Sequence, residues 1–311
     1  MKAIVIDQYG GKEELKERDV PKPIPQEGEV LIEMHAAAIN PIDWKLREGH
    51  LKEMLPFQFP IILGWDAAGV ISEVGPNVTN FREGDRVFVR PETTAQGTYA
   101  EYIVTQEHLL AKIPDNISFE EAAAVPLAGL TAYQCLVNFA QLKAGDKVLI
   151  HAGSGGVGSL GIQIAKSLGY FVATTASSKN EEFLKSLGAD LVIKYDQQEF
   201  DKELEDYDLV VDTMGGEIQN KSFQVLKKGG TLVSVAQPPD EKKGEELEIN
   251  VKFHWLVPNG KQLSELADFM AEGKLKPIIG SVFEFSEQGL REAHALSETN
   301  HAKGKIVIKI K

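Results

Sequence analysis

Cysteine occurs once in the 311 residues, at Cys135. A single thiol cannot close an internal disulfide or build the cysteine clusters that hold structural zinc, and it fits a reducing, cytoplasmic setting. Basic residues are in the minority: 33 Lys and Arg against 46 Asp and Glu leave a net charge of −13. That charge repels the phosphates of nucleic acid and of anionic lipid, so neither is expected as a partner. Long apolar runs are also scarce. The amino terminus MKAIVIDQYGG meets charge too soon for a signal peptide. The longest uncharged stretch, Ala122 to Leu142, is interrupted by Pro126, Gly129, two glutamines and an asparagine, so no membrane span is expected. What is present is the composition of an ordinary folded protein, at a length for which two domains are the natural expectation.

From Lys2 to about Ile113, short apolar runs such as KAIVI, EVLIEMHAAAI, AAGVISEVG and DRVFV are separated by Gly, Pro and Asn, a pattern of many short strands. Between Asp146 and Val257, apolar strands alternate with amphipathic helices, the mark of βαβ units around a parallel sheet. KVLIHA (147–152), FVATT (171–175), LVIKY (191–195), LVVD (209–212), TLVSVA (231–236) and INVKFHWLV (249–257) supply six strands, enough for a doubly wound sheet. After Pro258, the segment KQLSELADFMAEGKL sets Leu263, Leu266, Phe269 and Met270 at helical spacing. VFEF, a helix near Glu287 to Leu296 and the terminal KIVIKI then resume the mixed pattern of the first part. The expected architecture is α/β: a Rossmann parallel sheet within 120–257, inserted into a β-rich domain formed by 1–119 and completed by 258–311.

HAGSGGVGSLGIQIAKSLG places Gly153, Gly155 and Gly158 as GxGxxG between a predicted strand and a predicted helix running from Val157 to Leu168. In that context the first glycine permits the tight turn, the second lets the backbone approach a pyrophosphate, and the third lets the helix pack on the strand. The helix amino terminus then faces phosphate with free N–H groups and a positive dipole. An NAD ribose is expected to find an Asp or Glu about 20 residues on, at the end of the second strand. Thr174 and Thr175 stand there instead, followed by Ala176, Ser177, Ser178, Lys179 and Asn180, with no carboxylate until Glu181. Hydroxyls and a cation suit a 2′-phosphate, so NADPH is the expected cofactor. Helix capping is the alternative use for Ser177 and Ser178.

GDKVLIHAGSGGVGSLGIQIAK (145–166), NPIDWKLREG (40–49), GWDAAGVISEVG (64–75), GTYAEY (97–102), FEEAAAVPLAGLTAY (119–133) and the closing HAKGKIVIKI together resemble the medium-chain dehydrogenase/reductase superfamily. Within it, they resemble the zinc-free branch typified by quinone oxidoreductase and zeta-crystallin. Gly153 stands where that branch's signature has Ser or Ala. The resemblance implies a GroES-like catalytic domain completed by the carboxyl terminus, a homodimer, and an active site in the interdomain cleft. Zinc-dependent relatives carry a Cys where this chain has Asn40 and a His where it has Trp65, and an indole has no lone pair to give a metal. None of the seven histidines falls at a metal-ligand spacing, so no metal site is expected.

The resemblance also implies site residues. Asn40 is placed near the nicotinamide and substrate, where its amide would hydrogen-bond a carbonyl oxygen; Asn-Pro is equally a turn opener. Asp43 and Lys45 follow at the cleft edge, Lys45 where related quinone reductases often have Tyr. Trp65 would shape the pocket or serve as plain core. Thr131 would approach the nicotinamide or pack its helix, and Tyr99, Tyr102 and Tyr133 are alternative proton donors. Tyr195 joins Ser177 and Lys179 as a 2′-phosphate pocket. Ser154, Gly156, Val157, Thr175 and Ser234 complete the expected cofactor contacts. The implied chemistry is hydride transfer from NADPH to a small quinone, enone or similar electrophilic carbonyl compound. A non-catalytic, crystallin-like or redox-sensing NADPH-binding protein and an enoyl-thioester reductase are the alternatives.

Overall fold

The computed structural model describes all 311 residues and divides them into two compact units. The first comprises 1–127, 258–273 and 277–311; the second comprises 128–257 and 274–276. The first boundary falls at 127/128 rather than at 119/120. The reason is the short helix Phe119–Ala123, which begins at a Ser118–Glu121 capping box and packs on strands of the first unit.

In the first unit the eleven-residue strand Glu29–Ile39 is the spine. It pairs antiparallel with Lys305–Lys309 at one end and with Tyr102–Gln106 at the other, and along its length with Ala67–Val74. The sheet continues through Arg86–Val89 to Leu110–Lys112, and Ile279–Glu284 closes the far edge beside Lys305–Lys309. A second sheet of three strands, Lys16–Asp19, Lys2–Ile6 and Ile61–Ile62, covers the same core. Ile4, Ile6, Ile32, Met34, Leu63, Trp65 and Tyr99 lie within that core. The helix Gly260–Ala271 buries Leu263, Leu266, Ala267 and Met270, the spacing of one continuous face; Ala267 takes the place expected for Phe269, which is half-buried.

The second unit is a six-stranded, all-parallel sheet. In chain order its strands are Lys147–Ile150, Phe171–Ala176, Leu191–Lys194, Tyr207–Asp212, Leu226–Ser234 and Asn250–Phe253. Their spatial order is 3-2-1-4-5-6, the doubly wound order whose switch point lies between strands 1 and 4. Near-continuous runs such as KVLI and LVVD suit strands covered on both faces. The uncharged stretch from Ala122 breaks into the helix ending at Ala123 and the helix Pro126–Val137. No helix is long and apolar enough to cross a membrane.

Candidate functional site

In the second unit the glycine turn joins strand 1 to the helix Gly156–Ser167. Left-handed backbone in this turn falls on Ala152 (φ 54°) and not on Gly153. Gly153 is required for a different reason: a Cβ there would lie 2.2 Å from Thr174 Oγ1. Gly158 is fixed by packing, since its Cβ would lie 2.3 Å from the Ala152 carbonyl oxygen. Gly155 differs from both. Its φ of −80° suits any residue, and an added Cβ would touch only the Ala152 oxygen at 3.4 Å. Nothing inside the protein demands glycine there, and the space is open to a group approaching from outside. Gly155 is also the N-cap residue of its helix and offers no side-chain cap, leaving the first amides to an anion. These features fit the pyrophosphate of a dinucleotide.

Other expected cofactor residues turn inward. The Thr175 hydroxyl accepts from Ala152 N at 3.2 Å and meets His151 Nδ1 at 3.1 Å. His151 Nε2 in turn meets the Ser222 hydroxyl at 2.9 Å, and burial holds the ring's pKa down at about 4. Ser234 is fully buried; its hydroxyl donates to Asp212 Oδ2 at 2.7 Å and accepts from Ala236 N at 3.2 Å. Asp212 further accepts from Met214 N and Gly215 N, each at 2.9 Å, and so shapes the loop after strand 4. Ser154, Gly156 and Val157 are half-buried along the turn and Thr131 is buried in its helix.

Around the expected 2′-phosphate pocket, Lys179 is exposed without an ion-pair partner, Tyr195 is 62% exposed, and the Ser177 hydroxyl accepts from Asn180 Nδ2. A carboxylate that linear reading missed stands beside them. Asp196 Oδ2 accepts from the Ser178 hydroxyl at 2.6 Å and Oδ1 from Ser178 N at 3.1 Å, and these bonds lower the Asp196 pKa. Chain distance hid it: 18 residues separate the two, while the strand pairing Ala176↔Lys194 brings their loops together.

In the first unit a buried polar group gathers where three neighbouring strands end. Ile306 pairs with Ile39, which sets Lys305 beside Asn40, and Ala67 pairs with Ala37, which brings Asp66 to the same end. Asn40 Nδ2 donates to Asp66 Oδ2 at 2.8 Å. Lys305 Nζ donates to Asn40 Oδ1, to Asp66 Oδ2 at 3.0 Å and to the Ile39 carbonyl at 3.1 Å. Asp66 Oδ1 accepts from Leu127 N at 2.6 Å. Neither Asp66 nor Lys305 is legible from sequence as a site residue; GWD and GKI give no hint that the strands bring them to Asn40.

Asp43 sits in the interior rather than at an edge, one turn into the helix Pro41–Arg47. Its Oδ2 accepts from Asn40 N at 2.8 Å and from the Tyr99 hydroxyl at 2.7 Å, while Oδ1 is buried without a partner. Burial pushes its pKa up to about 7, with the Asp66 charge adding to the rise. Behind it the donors run in one direction. Arg47 is donor-only, so His294 Nδ1 must accept from it (3.1 Å), which leaves His294 Nε2–H to donate to the Tyr99 oxygen (3.2 Å). Burial and the Arg47 charge hold the His294 pKa at about 3. Trp65 is fully enclosed in the core with Nε1 unpaired. Lys45 is half-buried, lies 5.7 Å from the Trp44 ring centre and pairs with no carboxylate. Tyr102 donates to Glu33, and Tyr133 is buried. No three His, Cys, Asp or Glu side chains converge as a metal-binding group.

The alcohol dehydrogenase GroES-like domain model matches residues 26–115, and a model described as zinc-binding dehydrogenase matches 187–308. An NADPH-dependent alkenal/one oxidoreductase of Arabidopsis thaliana is 38% identical over 99% of this chain and 79% of its own length. The chain belongs to the quinone oxidoreductase and alkenal/one reductase group of the medium-chain dehydrogenase/reductase superfamily. Like others of that superfamily it is an oxidoreductase. The solved quinone oxidoreductase of Coxiella burnetii superposes with a TM-score of 0.91 at 38% identity, covering 100% of this chain and 99% of the other. A mycobacterial protein solved with NADPH superposes at a TM-score of 0.88 and 30% identity, covering 100% of both chains.

Proposed function

We propose that the protein is a zinc-independent reductase that uses NADPH to reduce a small quinone, an enone or a similar electrophilic carbonyl compound. The observation that carries this reading is the near-full-length relationship to an NADPH-dependent alkenal/one oxidoreductase. When bound, NADPH supplies the hydride. The residues proposed to hold it are the turn from Gly153 to Gly158 for the pyrophosphate, and Ser177, Lys179 and Tyr195 for the 2′-phosphate. Asn40 is the proposed donor to the acceptor's carbonyl oxygen, where negative charge develops, with Lys45 following it on the same helix. Thr131 is proposed as a nicotinamide contact, and Trp65, fully enclosed, serves the core. Asp43 serves this site from within, as the carboxylate that receives Asn40's backbone N–H. Zinc independence is supported by the donor set: Lys305 already engages Asn40 Oδ1 and Asp66 Oδ2, so a second cation would meet an ammonium. The homodimer is supported by the outer strand Asn250–Phe253, whose free edge and exposed Phe253, with exposed Trp255 and Val257 just beyond it, suit pairing with a second copy.

The test is a steady-state screen of NADPH oxidation against quinones, enones, enoyl thioesters and aldehydes, with elemental analysis of the same preparation. Turnover with quinones or enones and no stoichiometric zinc is expected. Activity confined to enoyl thioesters, or abolished by chelation and restored by zinc alone, overturns the reading.

A further inference from the structure

Asn40 is the N-cap residue of the helix Pro41–Arg47, yet its side chain is not turned to solvent. Its amide lies instead between an ammonium and a carboxylate, both from elsewhere in the chain, Lys305 being 265 residues away. Asn40 is 2% exposed, Lys305 4% and Asp66 0%. A buried ion pair gives little net stability over well-packed apolar residues, so its presence calls for a use beyond holding the fold.

The geometry points to Lys305 and Asp66 as positioning residues that lock the Asn40 amide in one orientation. An amide can flip at small steric cost, because its oxygen and nitrogen are nearly the same size. Here a flip would turn Asn40 Oδ1 toward a carboxylate and its NH₂ toward an ammonium, replacing two charge-assisted hydrogen bonds with two repulsions. With Oδ1 held by Lys305 and one Nδ2–H given to Asp66, one N–H of the amide remains to donate. The charges on either side polarise the amide in the sense that strengthens that donor. Lys305 itself has three N–H groups and three acceptors, namely Ile39 O, Asn40 Oδ1 and Asp66 Oδ2. It therefore acts through Asn40 and is not a proton donor to substrate.

The inference rests on the reading of Asn40 as donor to the acceptor's oxygen, and a double-variant cycle separates the two. The kcat and KM for reduction of 1,4-benzoquinone and 3-buten-2-one are measured for the whole protein and for Asn40→Ala, Lys305→Met and Lys305→Met/Asn40→Ala. NADPH affinity is titrated in parallel. Asn40→Ala is expected to lower kcat by roughly ten- to a thousandfold. Lys305→Met should lower kcat by at least about tenfold, with the Kd for NADPH changed by less than about twofold. In the Lys305→Met background, removing Asn40 should cost almost nothing more. Because Lys305→Met leaves Asp66 charged and unpaired, Lys305→Met/Asp66→Asn provides a neutral variant should the single one fail to fold. Its kcat should fall similarly, and the Asn40 side-chain amide NMR signal should show faster hydrogen exchange. Full kcat in this folded neutral variant, or costs that simply add in the cycle, overturns the positioning role while the Asn40 reading stands. Full activity of Asn40→Ala overturns both.

Discussion

Replacing Asp43 by Asn tests a fully buried carboxyl group that lacks a partner for one of its oxygens. The Asp43 carboxylate is fully buried and sends both of its hydrogen bonds to one oxygen, which leaves Oδ1 empty-handed. A proton has a natural place on Oδ1, and its pKa is raised from 3.8 to about 7. An acid with a folded-state pKa above its unfolded one binds more protons in the native state, so its contribution to stability is present at low pH and is lost as pH rises from about 4 to about 7. Three pKa units at about 1.4 kcal/mol each make the full loss about 4 kcal/mol, of which about 2.5 kcal/mol falls between pH 5 and pH 8. Asparagine mimics the protonated acid: its oxygen can accept from Asn40 N and Tyr99 Oη, and its NH₂ occupies the place of Oδ1. It does not titrate. Urea unfolding of wild type and Asp43→Asn at pH 5 and pH 8, followed by a probe in the first unit, should show the variant gaining about 2.5 kcal/mol on wild type between the two. An offset that is equal at both pH values would refute the claim that Asp43 enters the fold as a protonated acid.

Two further predictions concern the cofactor. Gly155→Ala meets almost nothing, whereas Gly158→Ala drives a methyl into the backbone of the same turn. The first should melt within a degree or two of wild type yet bind NADPH at least about tenfold more weakly, and the second should lose about 1–3 kcal/mol of stability. Unchanged NADPH affinity in Gly155→Ala would remove the pyrophosphate assignment. Lys179→Glu should weaken NADPH by well over tenfold while leaving NADH nearly unchanged, and Asp196→Asn should strengthen NADPH by roughly three- to tenfold by deleting a like charge near the 2′-phosphate. Titration with both cofactors checks each, and equal NADPH and NADH affinities in the unmodified protein would sink the selectivity argument.

Local pattern carried much of this protein openly in its sequence. Strand runs such as KVLI and LVVD, the glycine turn and the 3.6-residue spacing of Leu263, Leu266 and Met270 are each written within a few consecutive residues, because backbone periodicity is a local property. They were enough for six parallel strands, an insertion and a dinucleotide-type turn. The run Ser177, Ser178, Lys179 pointed to a 2′-phosphate by its charge, and resemblance added Asn40 and Tyr195 as candidates. What sequence could not show was which side chains meet. Lys305 and Asp66 reach Asn40 only because three strands end in register, and Asp196 reaches Ser178 only because two parallel strands pair. The same limit explains Ser234 and Thr175, whose hydroxyls serve neighbouring loops and rings. It also explains Ala152, which takes the left-handed backbone while Gly153 makes room for Thr174. Charge, burial and hydrogen-bond direction depend on neighbours across the fold, so they were decided only when the sheets assembled.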